Sequence, residues 1–199
     1  VKEPLPLEVT LDITTPILCH ADTLGELTAN VEGGYPIDST PDDFDYRWFR
    51  IENGTDTAIN TDLTLISIEN LESGSYKVVV NDSQGATAET TIVLSQPDDL
   101  VVTLTSVPVD VLCYGEATGA IDITVTGGPK DENTGEYLPY AFNWTKEEDP
   151  VFIATTEDLE NIEAGTYQVV VIDDNLCTTS LSETVVIVQP DAALEIYNV

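Results

Sequence analysis

Leu159-Glu-Asn-Ile-Glu-Ala-Gly-Thr-Tyr-Gln-Val-Val-Val-Ile-Asp173 is the stretch that decides how this chain folds. From Tyr167 onward the inward candidates fall on every second residue, Tyr167, Val169 and Val171, the period of a strand with one buried face. Ile68-Glu-Asn-Leu-Glu-Ser-Gly-Ser-Tyr-Lys-Val-Val-Val-Asn-Asp82 says the same thing earlier in the chain, with Tyr76, Val78 and Val80 in the matching places. Working outward, Leu18-Cys19, Gly25 and Gly33-Gly34 return as Leu112-Cys113, Gly119 and Gly127-Gly128, and Gln96-Pro97 returns as Gln189-Pro190. The offset is 94 residues at the cysteines, 91 at the Gly-x-Tyr and 93 at the Gln-Pro, a drift that loop insertions produce. Two copies in tandem favour an array over an enzyme built round one unique cleft. The expected units are residues 1–98 and 99–199, each large enough to bury its own core.

The remaining segments also alternate with a period of two. Val9, Leu11 and Ile13 open the first copy, followed by Leu27, Ala29 and Val31, then Phe44, Tyr46 and Trp48, and finally Ile92 and Leu94. The second copy answers with Ile121, Ile123 and Val125, then Tyr140, Phe142 and Trp144, then Val185 and Ile187. Turn signals such as Asn53-Gly54 and Gly127-Gly128-Pro129 separate the runs, and no stretch carries a helical period. The expected fold is all-β: two tandem immunoglobulin-like antiparallel β-sandwiches. Trp48 and Trp144 stand where a central third strand places a core tryptophan. Tyr76 and Tyr167, each behind a Gly-x, suit a tyrosine corner at the start of the next-to-last strand.

Charge narrows the partners. The chain has 37 acidic residues against six basic ones, a formal net charge of −31. Nucleic acid binding needs clustered Lys and Arg, so it is excluded, and anionic membrane surfaces are disfavoured for the same reason. No apolar run reaches the roughly 18 residues of a membrane span, so no membrane insertion of this segment is expected. Val1 with no signal-like stretch behind it reads as a piece of a longer protein. The cysteines separate the copies. Cys113 and Cys177 are placed near the same end of the second sandwich and are predicted to form a structural disulfide, worth roughly 4 kcal/mol on chain-entropy grounds. Cys19 matches Cys113, but Ala86 stands where its partner would be, so Cys19 is expected as a free thiol. A disulfide places the chain in an oxidising, extracellular location.

Taken in order, Cys113-Tyr-Gly115, Gly119 to Gly128, Tyr140-x-Phe-x-Trp144, Leu159 to Asp173, Cys177 and Gln189-Pro190 resemble the SprB repeat of Bacteroidota cell-surface proteins. The resemblance spans almost all of both copies and is closer in the second; the first has Cys19-His20-Ala21 where Cys-x-Gly is usual. It implies a very large cell-surface adhesin, exported by the type IX secretion system and tied to the gliding machinery, and it implies no catalytic residues. Asp22-Thr23-Leu24, Asp38-Ser39-Thr40 and Asp56-Thr57-Ala58 resemble the O-glycosylation acceptor of these bacteria.

The residues themselves offer little for catalysis, so the expectation is a non-enzyme with no catalytic, cofactor-binding or metal residues assigned. His20 is the single histidine and adjoins Cys19, a poor geometry for a nucleophile and its base. One histidine and one unpaired cysteine cannot supply a zinc site. Calcium is the one cofactor considered, because acidic loops supply oxygen ligands. The candidate loops are Asp131 to Glu136, Asp42 to Asp45, Asp173 to Asn175 and Asp98-Asp99, with no ligand set assigned. The expected function is an acidic stalk or adhesive module of a surface adhesin, in attachment and gliding, with an extracellular polysaccharide or protein target. The alternative is a ligand-binding module for glycan or protein, in which the loop tyrosines Tyr35, Tyr114 and Tyr137 make contact.

Overall fold

The structure, a computed structural model, describes residues 5–37, 44–147 and 149–193. The chain divides into two compact units, Val1–Gln96 and Pro97–Val199. Asp98, grouped with the first copy on sequence, instead opens a strand of the second unit, because it already pairs with Gly128.

Seven strands build the first unit: β1 (Glu8–Thr15), β2 (Gly25–Glu32), β3 (Asp45–Glu52), β4 (Thr55–Ala58), β5 (Ser67–Leu71), β6 (Gly74–Asn81) and β7 (Thr87–Leu94). They pair antiparallel in two sheets of order β1-β2-β5 and β4-β3-β6-β7. This is an immunoglobulin-like division, with the central third and sixth strands together in one layer. Alternation does the sorting. Along β6, Tyr76, Val78 and Val80 are buried while Lys77 and Val79 face outward. Asn53-Gly54 makes the β3–β4 hairpin, both residues at positive φ as a type I′ turn requires.

The second unit repeats the plan in shorter pieces: β8 (Asp98–Leu104), β9 (Gly119–Ile121), β10 (Ile123–Gly128), β11 (Ala141–Lys146), β12 (Asp149–Ala154), β13 (Leu159–Ile162), β14 (Gly165–Ile172), β15 (Thr178–Ser180) and β16 (Val185–Ile187). β9 and β10 together stand for β2, pairing with β13 and β8 respectively. The opposite layer runs β12-β11-β14, with β15 and β16 sharing the far edge of β14.

Each unit closes on an indole. Trp48 and Trp144 are fully buried on β3 and β11, opposite Val78 and Val169. A buried N–H needs an acceptor, and Trp48 Nε1 donates to Leu65 O at 2.8 Å, Trp144 Nε1 to Thr156 O at 3.0 Å. Those carbonyls lie just ahead of β5 and β13, so the indole ties one layer to the approach of the other. Tyr76 and Tyr167 also bury their rings, and each hydroxyl donates to a carbonyl four residues back, Glu72 O and Glu163 O, both at 2.8 Å.

The cysteine loops show where the copies diverge in backbone strain. Asp22 N donates to Cys19 O and Glu116 N to Cys113 O, both at 3.2 Å, closing equivalent turns. The third residue of each turn has positive φ: Gly115 at 76° and Ala21 at 59°. A type II turn asks for glycine there, and alanine carries a steric penalty. Ala21→Gly is therefore expected to raise the stability of the first unit by about 1 kcal/mol, read as a higher urea midpoint at unchanged slope.

Candidate functional site

The two ends of each unit hold its polar anchors. At the N-terminal end of the first unit, β6 runs out into Asp82, which is buried. Its Oδ1 accepts from Gln84 N and Ala86 N at 2.9 and 2.8 Å, and its Oδ2 accepts from Tyr35 N at 3.0 Å. One carboxylate thus closes the β6–β7 hairpin and fastens the Gly33-Gly34-Tyr35 turn to it. Burial works to raise the Asp82 pKa, but the backbone N–H groups of Tyr35, Ala86, Gln84 and Gly85 outweigh it and hold the carboxyl below its ordinary value. Asp173 does the same work in the second unit, accepting from Asn175 N and Cys177 N, both at 2.9 Å. Gly128, at φ 77°, comes so close that a Cβ there would lie 2.9 Å from Asp173 Oδ2.

At the C-terminal end a glutamine takes over. Gln96 Oε1 accepts from Ala21 N at 3.0 Å, and Gln189 Oε1 accepts from Gly115 N at 2.8 Å. The Gln-Pro that closes each copy is thus a clamp on the cysteine turn, a role the sequence pattern marked without explaining.

These two ends correct the cysteine assignments. Cys113 is a free, exposed thiol, and the expected Cys113–Cys177 bridge is not formed. Cys113 sits beside Gln189, just past β16, whose Ile187 pairs with Gly165 at the start of β14. Cys177 lies beyond Ile172 at the other end of the same strand. An eight-residue strand separates them by roughly 20 Å, whereas a disulfide needs Cα atoms about 4.4–6.8 Å apart. Cys177 is disulfide-bonded, and so is Cys19, which was expected to be free. That expectation rested on Ala86, which lies at the Asp82 end, whereas Cys19 lies at the Gln96 end. The comparison therefore never bore on Cys19.

The carboxylates of Asp131 and Asp98 are engaged by backbone and side-chain donors of the same unit. Asp131 Oδ1 accepts from Asn133 N and Thr134 N, both at 2.9 Å, and from Thr134 Oγ1 at 3.2 Å. The Thr134 amide, followed by that of Asn133, holds the Asp131 carboxyl below its usual range. Asp98 accepts from Tyr137 Oη at 2.9 Å and from Lys130 Nζ at 2.6 Å, while the ammonium sits 4.7 Å from the Tyr137 ring centroid. Among the described residues no three His, Cys, Asp or Glu side chains cluster as a metal site. Asp42-Asp43 and Asp38-Ser39-Thr40 lie outside the described residues. His20 is exposed in the Cys19 turn, and Tyr35 and Tyr114 are also exposed.

The first unit carries a concavity of ligand size. A groove of about 770 Å³ opens in the first unit between the β4 and β5 edges, lined by Arg50, Ile59, Asn60, Leu65 and Tyr76 among others. Its charge is already answered: Arg50 meets Glu72 at 2.9 Å and Glu52 at 3.0 Å, and the Glu72 hydrogen bond raises the guanidinium pKa. Among the described residues no helix is long and apolar enough to cross a membrane.

Two outcomes test this geometry. Native alkylation with a maleimide is expected to add one label, at Cys113, and Cys113→Ser is expected to leave the melting temperature unchanged. Because the Asp82 pKa is depressed on folding, its contribution is complete above the unfolded value of about 3.9 and lost as pH falls through the lower folded value. Asp82→Asn is expected to lower the melting temperature at neutral pH and to flatten the acid limb below about pH 4, followed by circular dichroism.

No curated protein matches the chain. Among solved structures, the three N-terminal domains of the bacteriophage RB49 highly immunogenic outer capsid protein are similar at 21% identity and TM-score 0.45, over 92% of this chain and 59% of that one. The chain thus spans less than two thirds of that protein's length. The fibronectin(III)-like modules of Clostridium thermocellum CbhA are similar at 16% identity and TM-score 0.36, over 95% of this chain and 100% of that one. A two-domain fibronectin type III segment of chicken tenascin is similar at 13% identity and TM-score 0.34, over 89% and 97%. The family model described as SprB repeat matches residues 105–146, from the end of β8 through β11 in the second unit.

Proposed function

We propose that this chain is an extracellular repeat segment of a large bacterial cell-surface adhesin, serving as an acidic stalk in attachment and gliding. The observation that carries the reading is the path of the chain through each unit. The chain enters the first unit where Leu5 O accepts from Gly34 N, at the Asp82 end, and leaves it at Gln96. It enters the second at Asp98, paired with Gly128 beside Asp173, and leaves at Gln189. A domain whose termini lie at opposite ends gains length with every copy, whereas one with adjacent termini does not. The net charge of −31 supports the same role, since like charges keep neighbouring chains apart and soluble. The SprB-repeat match supports a surface-adhesin setting; type IX export and coupling to gliding follow from that family and are part of the proposal. No catalytic role is proposed.

The second reading, a ligand-binding module, rests on the groove beside Arg50, whose volume falls in the range of small-molecule sites. The stalk reading is preferred because that arginine is held by two carboxylates and Asn60, at the groove wall, is occupied in bonding Trp48 N and Tyr46 O. Antibodies raised against the chain are expected to label intact cells of the source bacterium, and in-frame deletion of the segment to weaken attachment. Labelling only after lysis overturns the proposal. Saturable binding of a soluble glycan that Arg50→Ala abolishes moves the function to the groove.

A further inference from the structure

Among the described residues, the central outward positions of the β12-β11-β14 layer carry no charge. Register fixes which side chains face outward: with Trp144, Val169 and Val171 buried, the alternate positions Asn143, Thr145, Gln168 and Val170 point to solvent. On the edge strand β12, Val151 and Ile153 are 82% and 69% exposed, and across β14 Val186 is 58% exposed. In a chain where 22% of residues are charged, a sheet face made of Thr, Asn, Gln, Val and Ile stands out. Charge returns at one rim, where Glu147 follows β11 and lines a hollow with Thr145, Thr166 and Gln168, and where Asp149 opens β12.

The first unit supplies the internal comparison. Aligning Trp48 with Trp144 and following the register, Asp45 and Arg47 on β3 stand where Ala141 and Asn143 stand on β11. Lys77 on β6 corresponds to Gln168, and Glu89, opposite Val79, corresponds to Ser180, opposite Val170. Four charged outward positions in one copy are neutral in the other, while the inward Trp48, Tyr76, Val78 and Val80 return unchanged as Trp144, Tyr167, Val169 and Val171. The charged face is the ordinary solvated case, with Lys77 paired to Asp56.

We infer that the neutral face of the second unit is a contact surface for the same face of a second copy of this chain. Charge selects that occupant. At −31, two copies meeting through acidic surfaces would oppose carboxylates, and this face lets them meet without doing so. A face that is neutral and rich in Thr and Val is complementary to itself, as a two-fold interface requires, and flat sheets stack at about 10 Å with side chains interleaved. Four strands by about six residues give two copies on the order of 1,000 Å² of buried surface, the low end for a specific interface, so the dimer is weak. A neutral polysaccharide is the competing occupant, and the outward strand positions offer it no aromatic ring to stack on.

Sedimentation equilibrium of the full chain in a Cys113→Ser background, from about 10 µM to about 1 mM, tests this. A monomer–dimer equilibrium is expected that strengthens between about 50 and 500 mM NaCl, because salt screens the repulsion between like chains. Val170→Lys is expected to abolish it, whereas Val79→Lys, the same position in the first unit, leaves it intact. Asn143→Arg, which restores the first unit's charge on a solvated side chain, repeats the loss should Val170→Lys fail to fold. Monomer at the highest concentration in both salts overturns the inference, as does a dimer that Val79→Lys breaks and Asn143→Arg spares. Retention of the monomer on a neutral polysaccharide matrix, lost in Asn143→Arg, also overturns it and assigns the face to sugar.

Discussion

The rest of the structure depends on getting one indole per unit out of water without orphaning its N–H. A fully buried tryptophan contributes more apolar surface than any other side chain here, and Trp48→Ala or Trp144→Ala would forfeit about 3–5 kcal/mol. That burial is favourable only because Leu65 O and Thr156 O accept the indole proton. Both carbonyls precede the strand that seals the opposite layer, so satisfying the N–H also sets how that strand is delivered to the sandwich. The neighbouring tyrosines follow the same logic: ring inward, hydroxyl to a carbonyl four residues back. Apolar burial and hydrogen bonding are met by the same side chains, and this leaves the sheet exteriors free of structural duty.

Polar anchoring is then confined to the two ends. A carboxylate suits the N-terminal end because several backbone N–H groups converge there with no carbonyls to receive them. Asp82 takes three of them at 2.8 to 3.0 Å. An amide suits the C-terminal end, where a single N–H at the cysteine turn needs one acceptor. A carboxylate at that end would add one more negative charge to a surface already crowded with them. The placement also makes the ends unlike each other, which gives each unit a direction.

The strands, both tryptophans, both buried tyrosines and the two-sheet class were legible because a period of two survives whatever the loops do. What was not legible is anything that requires knowing which end of a strand a loop occupies. Cys113 and Cys177 flank strands that belong to one sandwich, and sequence order alone allowed them the same end. Only the pairing of Ile187 with Gly165 shows that β14 lies between them. Asp82 and Asp173 drew attention as repeated acids and Asp173 as a calcium candidate, but the N–H groups they satisfy come from loops whose approach no linear pattern encodes. The Gln-Pro was visible as punctuation and not as a hydrogen bond, since its partners Ala21 and Gly115 lie 75 and 74 residues away.

The comparison of the two copies separates what folding demands from what it leaves open. Inward positions are held to Trp, Tyr and Val because cores near crystal density tolerate little change in volume. Outward positions on the same strands face no such limit, so Lys77 and Gln168, or Arg47 and Asn143, can occupy matching sites with small effects on stability. Random drift over a surface this acidic would scatter carboxylates onto both faces alike. Instead, the second copy's outer layer is neutral at four central outward positions that are charged in the first, including the places of both cations. Removing Arg47 and Lys77 equivalents from a chain with six basic residues makes its overall imbalance worse, not better. Solubility therefore gives no reason for the exchange, and the physical advantage that remains is a face able to meet its like without opposing charge.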